Sequence, residues 1–396
     1  MVQPFGLAED PSREAVQAHL DKRLLELSAP PSTLSCSWST TDETKYAALP
    51  SGGPYFFALN LYNNQAVLPT LARTLLDLAH FLGTANTHIS IFENGSTDNT
   101  TLALAHFAAA LTSAGVSHTI VSDSRKTDWK KVDRIAQLSV YRNYALSPVN
   151  GTVGGKDGRE RSFEEVVFIN DVFVCPRDAL ELLWQRKKQN AHAACAMDWR
   201  ATQSWFGWLG FKSVKFYDNW VSRTITGDML RSRFDTLAET RDGIDELFDQ
   251  PGSEFSRDLF SKGLPVPVYS CWNGMLALPA APFRGANGPA TLFRSTFNEP
   301  GQCAASECKT LARDFWAQGL NRWMIVPSVH VTYAQEVYNH PSLVDLTRRG
   351  ELNAQATSSI IDWEPIKPPE SVVCYSWVRG FHIDLPYRRT REAPFR

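Results

Sequence analysis

Three polar clusters in this chain of 396 residues combine residue types that can do chemistry. The first is Glu93-Asn-Gly-Ser-Thr-Asp98, directly after the apolar run 87–92. Gly95 lets the backbone turn and Asp98 can cap a following helix. The Glu93 carboxylate can accept from a ribose hydroxyl or a base N–H, or simply close a capped strand-to-helix turn. It is not a dinucleotide fingerprint, because GxGxxG is absent. The second cluster is cationic: Arg125, Lys126, Lys130, Lys131, Arg134 and Arg142. At roughly 100° per residue, Lys131, Arg134 and Arg142 share one helix face about 80° wide. Such a stripe can neutralise a diphosphate or form a solvated face. The third is Val166-Val-Phe-Ile-Asn-Asp171, an apolar run that delivers an acid at its end. Burying that acid is costly unless a cation or donors meet it. Asp171 therefore suits a divalent ion, or the cap of a helix beginning near Pro176.

The elements that must position these clusters alternate. A helix over about 13–27 and a Ser/Thr/Pro-rich connector form an N-terminal arm through residue 50. Strands are expected at 55–61, 87–92, 118–121 and 165–174, with helices at 67–82, 100–114 and 130–146 between them. Strands alternating with helices imply βαβ units and a mainly parallel sheet, whose ligands bind beyond the strands' carboxyl ends. A nucleotide-sugar half is expected over 51–200. An irregular, Trp-rich acceptor half is expected over 201–361, with short strands at 266–269 and 323–326 and a helix at 304–318. A Pro-rich, basic tail that packs on the domain follows over 362–396.

Composition narrows the class. Forty Lys+Arg against 42 Asp+Glu leave a net charge of −2, so no global field draws in nucleic acid. No apolar stretch approaches the roughly 20 residues of a membrane span, and residues 1–21 do not read as a signal peptide. Seven cysteines form no CxxC pair and no zinc cadence. They suit either buried thiols or disulfides. Asn94, Asn99 and Asn150 each open a glycosylation triplet. Twelve Trp among 11% aromatic residues are a further cue, since aromatic faces stack on sugars or fill cores.

Taken in order, Glu93 to Thr100, then Arg142-Asn143 on a helix, then an apolar strand ending in Asp171, resemble the GT-A glycosyltransferase superfamily. Further segments narrow the resemblance: Phe168–Phe173 with Cys175–Asp178, Ala193–Trp199, Phe216–Trp220, Tyr269–Gly274, Phe297–Gly301, Cys303–Cys308 and Pro327–His330. Together they resemble the fungal capsule-associated α-1,3-mannosyltransferases, glycosyltransferase family 69, over residues 50–380. The resemblance implies a GT-A α/β fold, with a single mainly parallel Rossmann-like sheet flanked by helices. It also implies a GDP-mannose donor, a mannose-containing oligosaccharide acceptor, Mn²⁺ or Mg²⁺, and retention of the α configuration.

Carried over residue by residue, the resemblance puts Glu93, Asn94 and Asp98 beside guanine or ribose. Asn60, Arg134 and Asn170 complete the donor-binding set, and Arg142 meets the diphosphate. Asp171 matches the metal-binding acid, although no second acid stands one residue away, and His330 matches a further metal ligand. Trp272, Asn273 and Gly274 match an acceptor-side loop, with Trp272 as a stacking face; Asp198 and Asp218 would bond mannose hydroxyls. Glu307 matches the acid beside the reacting carbon, where it would hold the acceptor or stabilise charge at C1. Asp171, Arg142 and Glu307 are thus the catalytic candidates. The family implies a type II Golgi membrane protein, whose anchor would lie outside this chain; in that setting Cys303 can pair with Cys308, the connectivity being open. Five of the tryptophans, at 199, 205, 208, 220 and 272, fall between residues 195 and 275, largely in the acceptor half. Two rival readings remain: a transferase using another donor such as UDP-xylose, and an inactive glycan-binding protein.

Overall fold

The computed structural model describes residues 12–27, 34–149, 162–203, 212–230, 247–285, 289–296, 305–356, 360–375 and 389–392. The chain forms two compact units. The first comprises Met1–Asp128, Tyr141–Trp184 and Ala277–Thr291; the second comprises Trp129–Val140, Gln185–Leu276 and Leu292–Arg396. Both are assembled from interleaved pieces of sequence.

In the first unit, β1 (Tyr55–Leu61), β2 (Thr87–Glu93), β3 (Ser117–Ser122) and β4 (Glu165–Ile169) form parallel pairs in the order β3-β2-β1-β4. β2 and β4 are buried along their whole length, and β1 everywhere except Asn60, as near-continuous apolar runs in a parallel sheet demand. Three crossover helices separate them: α3 (Leu68–Leu82), α4 (Thr100–Ser113) and α5 (Arg134–Leu146). α3 carries Pro69 in its first turn and stops at Gly83, whose φ of 97° suits glycine. The α/β class expected from the alternation is therefore present.

α5 starts later than its expected 130. The Asp133 carboxylate accepts from the Ala136 N–H at 2.7 Å and caps the helix there, leaving Lys130 and Lys131 outside it. The three-residue stripe thus reduces to Arg134 and Arg142. β4 is also shorter than expected. A tight turn, closed by the Val172 N–H on the Asn170 carbonyl at 2.9 Å, ends the ladder before α6 (Pro176–Lys188).

The N-terminal arm is fastened to this unit. After α1 (Arg13–Leu27), Ser39 and Asp42 form a capping box on α2 (Thr40–Tyr46). Cys36 is bonded to Cys175, Asp42 pairs with Arg177 at 2.8 Å, and Glu181 accepts from the buried Tyr46 hydroxyl at 2.7 Å. All three ties end at or beside the start of α6.

The second unit is mixed. β5 (Ala193–Gln203) runs antiparallel to β6 (Lys212–Phe216) and parallel to the long β10 (Trp323–Thr332). β7 (Arg223–Thr224) pairs antiparallel with β8 (Val266–Ser270), which pairs antiparallel with β10. β10 outruns its expected end at 326 because the strand resumes after an irregularity between Ile325 and His330 that contains Pro327. α9 (Glu307–Ala317) is capped by Ser306 and docks on β8 through the Trp316 indole N–H, which donates to the Tyr269 carbonyl at 2.9 Å.

Short elements complete the chain: α7 (Glu254–Ser261), β9 (Met275–Pro279), α8 (Ala281–Arg284), α10 (Gln335–Tyr338), α11 (Pro341–Ala356), β11 (Val372–Tyr375) and β12 (Arg389–Glu392). The buried Arg223 guanidinium donates to the Val373 carbonyl at 2.7 Å, and β11 pairs with β12. A second disulfide joins Cys195 to Cys271. Cys308 is buried at the start of α9, and Cys303, its suggested partner, lies outside the described residues.

Candidate functional site

Asp171 stands two residues beyond β4, at the carboxyl end of the first unit's parallel strands. That is the edge where open α/β sheets bind ligands. The Asn64 side-chain amide donates to Asp171 Oδ2 at 2.9 Å. Burial pushes the Asp171 carboxyl above the ordinary range, while the Asn64 hydrogen bond and the Arg142 charge pull it back. Arg142, on α5, holds its guanidinium 5.3 Å over the Phe168 ring of β4, an apolar support from the strand that delivers Asp171. The structure therefore brings together the acid and the cation picked out in the sequence.

Asn64 is the residue the sequence reading missed. It is 8% exposed and cross-links three segments. Its N–H donates to Thr100 Oγ1 at 2.7 Å, its Oδ1 accepts from the Tyr62 N–H at 2.6 Å, and its carbonyl accepts the N–H groups that open α3. The available cue was an Asn-Asn pair just ahead of a helix start. Its partner, 107 residues away, was not visible.

The other donor-side candidates divide. Asn60, one place past the Leu59–Ile169 pair and thus opposite Asn170, donates to the Tyr141 carbonyl at 2.9 Å. Its Oδ1 is buried with no hydrogen-bond partner among the described residues. Asn170 and Asn94 are half-buried. Glu93 is 1% exposed, and its two oxygens accept from the Ser96 N–H and the Thr101 hydroxyl. In this arrangement it holds the turn rather than presenting a carboxylate outward. Asp98 caps α4 through the Thr100 N–H at 2.9 Å and also accepts from the Gln65 N–H at 3.1 Å. Arg134, in the second unit, is exposed.

The metal reading fits Asp171 and not His330. His330 is 6% exposed inside β10. Its Nε2 donates to the Tyr338 carbonyl at 2.9 Å and its Nδ1 faces Thr347 Oγ1 at 3.2 Å, so neither nitrogen is directed at an ion. Among the described residues no group of three or more His, Cys, Asp or Glu could hold a metal. A divalent ion would therefore take one carboxylate, from Asp171, and fill its remaining positions with phosphate oxygens and water. Small hard cations bind nucleotides in that way. The unpartnered Asn60 carbonyl oxygen, on the neighbouring strand, is chemically of the same oxygen-donor kind.

In the second unit, Asp198 on β5 is fully buried, and its Oδ1 accepts from the Asp218 N–H at 3.1 Å. Its Oδ2 has no partner among the described residues. Burial, and then the neighbouring Asp218 charge, push the Asp198 carboxyl well up, so its proton is retained far above the usual range. Asp218 is half-buried and accepts from the Asn273 N–H at 3.1 Å. Asn273 and Gly274 both have positive φ, 52° and 77°. The buried Asn273 side chain fixes that turn by donating to the Ala196 carbonyl at 2.9 Å and accepting from Ser222. Asp198, Asp218 and Asn273 therefore form one interlocked cluster.

Trp272 is 2% exposed and packs edge-on against Phe293, so it supplies no open stacking face. Trp199 is likewise buried, Trp220 is half-buried, and Trp205 and Trp208 lie outside the described residues. Glu307 opens α9 at 2% exposure and accepts from the Ser306 hydroxyl at 3.3 Å. That is the setting of a helix-start carboxylate stabilised by the dipole.

Comparison with known proteins points one way. A family model described as cryptococcal mannosyltransferase 1 matches residues 54–314. The alpha-1,3-mannosyltransferase CMT1 of Cryptococcus neoformans var. neoformans is 32% identical over 337 residues, covering 82% of this chain and 68% of that protein. Among solved structures, the mannosyltransferase PcManGT of Pyrobaculum calidifontis, in complex with GDP-Man and Mn²⁺, aligns at 11% identity. Its TM-score is 0.37, over 90% of this chain and 79% of that one. S. aureus TarS aligns at 10% identity and a TM-score of 0.35; the match covers 70% of this chain and 59% of the TarS chain. Scores this low carry no argument, and the α/β reading rests on the strand order described above.

Proposed function

The chain belongs to the capsule-associated cryptococcal mannosyltransferase family and is a glycosyltransferase; from that premise we propose that it moves α-mannose from GDP-mannose to a mannoside hydroxyl. The product is an α-1,3 linkage with the α configuration retained. The observation that carries the donor site is Asp171, set at the carboxyl end of β4, bonded by Asn64 and facing the Arg142 charge. A carboxylate and a guanidinium at a parallel-sheet edge are what a diphosphate with its counter-ion requires.

Mn²⁺ or Mg²⁺, when bound, supplies positive charge that lowers the cost of the diphosphate leaving. Asp171 would hold that ion, and Asn64 keeps the Asp171 carboxylate oriented through Nδ2. Arg142 contacts the diphosphate oxygens and stabilises the charge that grows on them as the bond to C1 breaks. Asn60 offers its unpartnered Oδ1 to a donor hydroxyl or amine. With the configuration retained, no base on the opposite face of the sugar is needed. The departing phosphate oxygen takes the proton from the attacking hydroxyl, so atoms and charge balance.

The Golgi lumen is the proposed setting. Two disulfides suit an oxidising compartment. Among the described residues no helix is long and apolar enough to cross a membrane.

A donor panel tests the reading. GDP-mannose, UDP-xylose and UDP-galactose are incubated with and without an α-mannobioside, in Mn²⁺ and then in chelator. Metal-dependent transfer from GDP-mannose alone is expected, with linkage analysis giving the 1,3 bond. Transfer from UDP-xylose instead would move the donor assignment, and glycan binding without nucleotide release would make the protein a glycan binder.

A further inference from the structure

With Trp272 and Asp198 buried, the second unit offers a different aromatic face next to Asp218. Asp198 and Arg200 lie two apart on β5 and so point to the same side of the sheet. Tyr217 follows β6 one place beyond the Trp199–Phe216 pair, opposite Asp198, and its N–H donates to the Asp198 carbonyl at 3.0 Å. Tyr333 follows β10 one place beyond the Trp199–Thr332 pair, opposite Arg200. The side-chain contacts agree with that register. The Tyr217 and Tyr333 rings are 4.9 Å apart at 57°, and the Arg200 guanidinium lies 5.3 Å from the Tyr217 ring.

We propose that Tyr217, flanked by Tyr333 and Arg200 and followed by the Asp218 carboxylate, is the platform on which a sugar ring of the acceptor rests. Tyr217 is 46% exposed, in a unit where Trp199 and Trp272 are packed away. A hexose has an apolar C–H face and a rim of hydroxyls. It matches an aromatic face bordered by a few fixed polar groups better than a flat apolar partner does. Asp218 supplies the acceptor atoms. Arg200, whose charge also acts on the neighbouring Asp198, supplies donors. The site is built rather than accidental. Asp218 is fixed from behind by the Asn273 N–H and bonds the fully buried Asp198 through its own N–H, so the rim is rigid while Tyr217 stays open. Asp198 in this account is a positioning residue that never meets the sugar.

The platform rests on the transferase reading, and the test separates the two. Tyr217→Ala, Tyr217→Phe and, as a control on an exposed aromatic elsewhere, Phe255→Ala are assayed for transfer to an α-mannobioside. GDP affinity is read by calorimetry. Tyr217→Ala is expected to raise the acceptor KM tenfold or more while GDP binds within twofold of wild type. Tyr217→Phe, which keeps the ring, should recover most of that loss. An acceptor KM for Tyr217→Ala within twofold of wild type overturns the platform, as does a change confined to the GDP-mannose KM. If wild type transfers no mannose at all, the donor reading fails instead. Saturation-transfer NMR of the mannobioside on wild type and Tyr217→Ala then decides the platform alone: equal signals overturn it and a lost signal supports it.

Discussion

Removing the two disulfides should undo most of the stability of this fold. Cys36–Cys175 closes a loop with a sequence separation of 139, and Cys195–Cys271 one of 76. In the chain-entropy account, loops of these lengths restrict the unfolded chain by about 5 and about 4.5 kcal/mol at 25 °C. Native bridges usually deliver less, about 2–4 kcal/mol each. The two loops do not overlap in sequence and the four cysteines share no bond, so their effects should add. Against a total stability of about 5–15 kcal/mol, losing both is decisive.

The first bridge has a further consequence, because Cys175 lies four residues after Asp171 and the arm it fastens abuts the start of α6. Paired serine substitutions at 36 and 175, and separately at 195 and 271, should each lower the thermal midpoint of the unit that holds the pair by about 5–15 °C, as about 2–4 kcal/mol does in a unit of about 200 residues. Reductant should bring wild type down to the level of the combined variant. Scanning calorimetry provides the reading, with intact-mass alkylation counting thiols. Either pair removed with less than about 2 °C of change, or four alkylatable thiols at these positions in native protein, would refute the reasoning.

Three further outcomes follow from the geometry. Asn64→Ala removes a bond to a half-buried carboxylate worth about 1.5–3 kcal/mol, so the activating Mn²⁺ concentration should rise about 10–100-fold at pH 6; an unchanged metal titration contradicts Asn64's role. Asp198 has its pKa raised on folding, so the folded chain keeps a proton that the unfolded chain loses above about pH 4. Stability from that site is full below this pH and declines as pH rises towards the folded value, by at most about 1.4 kcal/mol per unit. Asp198→Asn should therefore gain on wild type between pH 4 and 8 in urea unfolding, and a constant difference would contradict the shift. At Gly227, with φ of 80°, an added Cβ would overlap the Ser371 carbonyl; Gly227→Ala should cost about 2 kcal/mol or more and expose the 371–375 strand to proteolysis, and resistance equal to wild type would contradict that docking.

The first half of the fold was legible because β1, β2 and β4 are near-continuous apolar runs, and Pro69 and Gly83 mark the ends of α3. Helix 13–27 and strand 55–61 fall at the expected bounds. The errors there came from side chains that override periodicity, such as Asp133 restarting α5 at 134. The second half was hidden for a different reason. The antiparallel β5–β6 pair and β10 across Pro327 depend on long-range ladders that leave a weak local pattern. α11 carries Gly350 in its interior, which lowers its helical signal. That glycine is there because its backbone nearly touches Gly263 and Ser328.

At the site, residue type revealed chemistry but not burial. Asp171 and Arg142 were readable because a strand end and a helix face placed them. Trp272 and Asp198 looked like sugar contacts by type, yet both lie inside the protein, and the exposed Tyr217 beside them had no distinguishing spacing. His330 was sought as a ligand just after a strand and is found within one.

The central claim is that Asp171 anchors the donor's diphosphate and its divalent ion for mannosyl transfer. It is tested most directly by Asp171→Ala, assayed for transfer from GDP-mannose to the α-mannobioside at saturating Mn²⁺ with the folded state verified by its thermal midpoint. The account predicts a loss of at least a thousandfold in transfer with the midpoint retained. Activity within tenfold of wild type would contradict it.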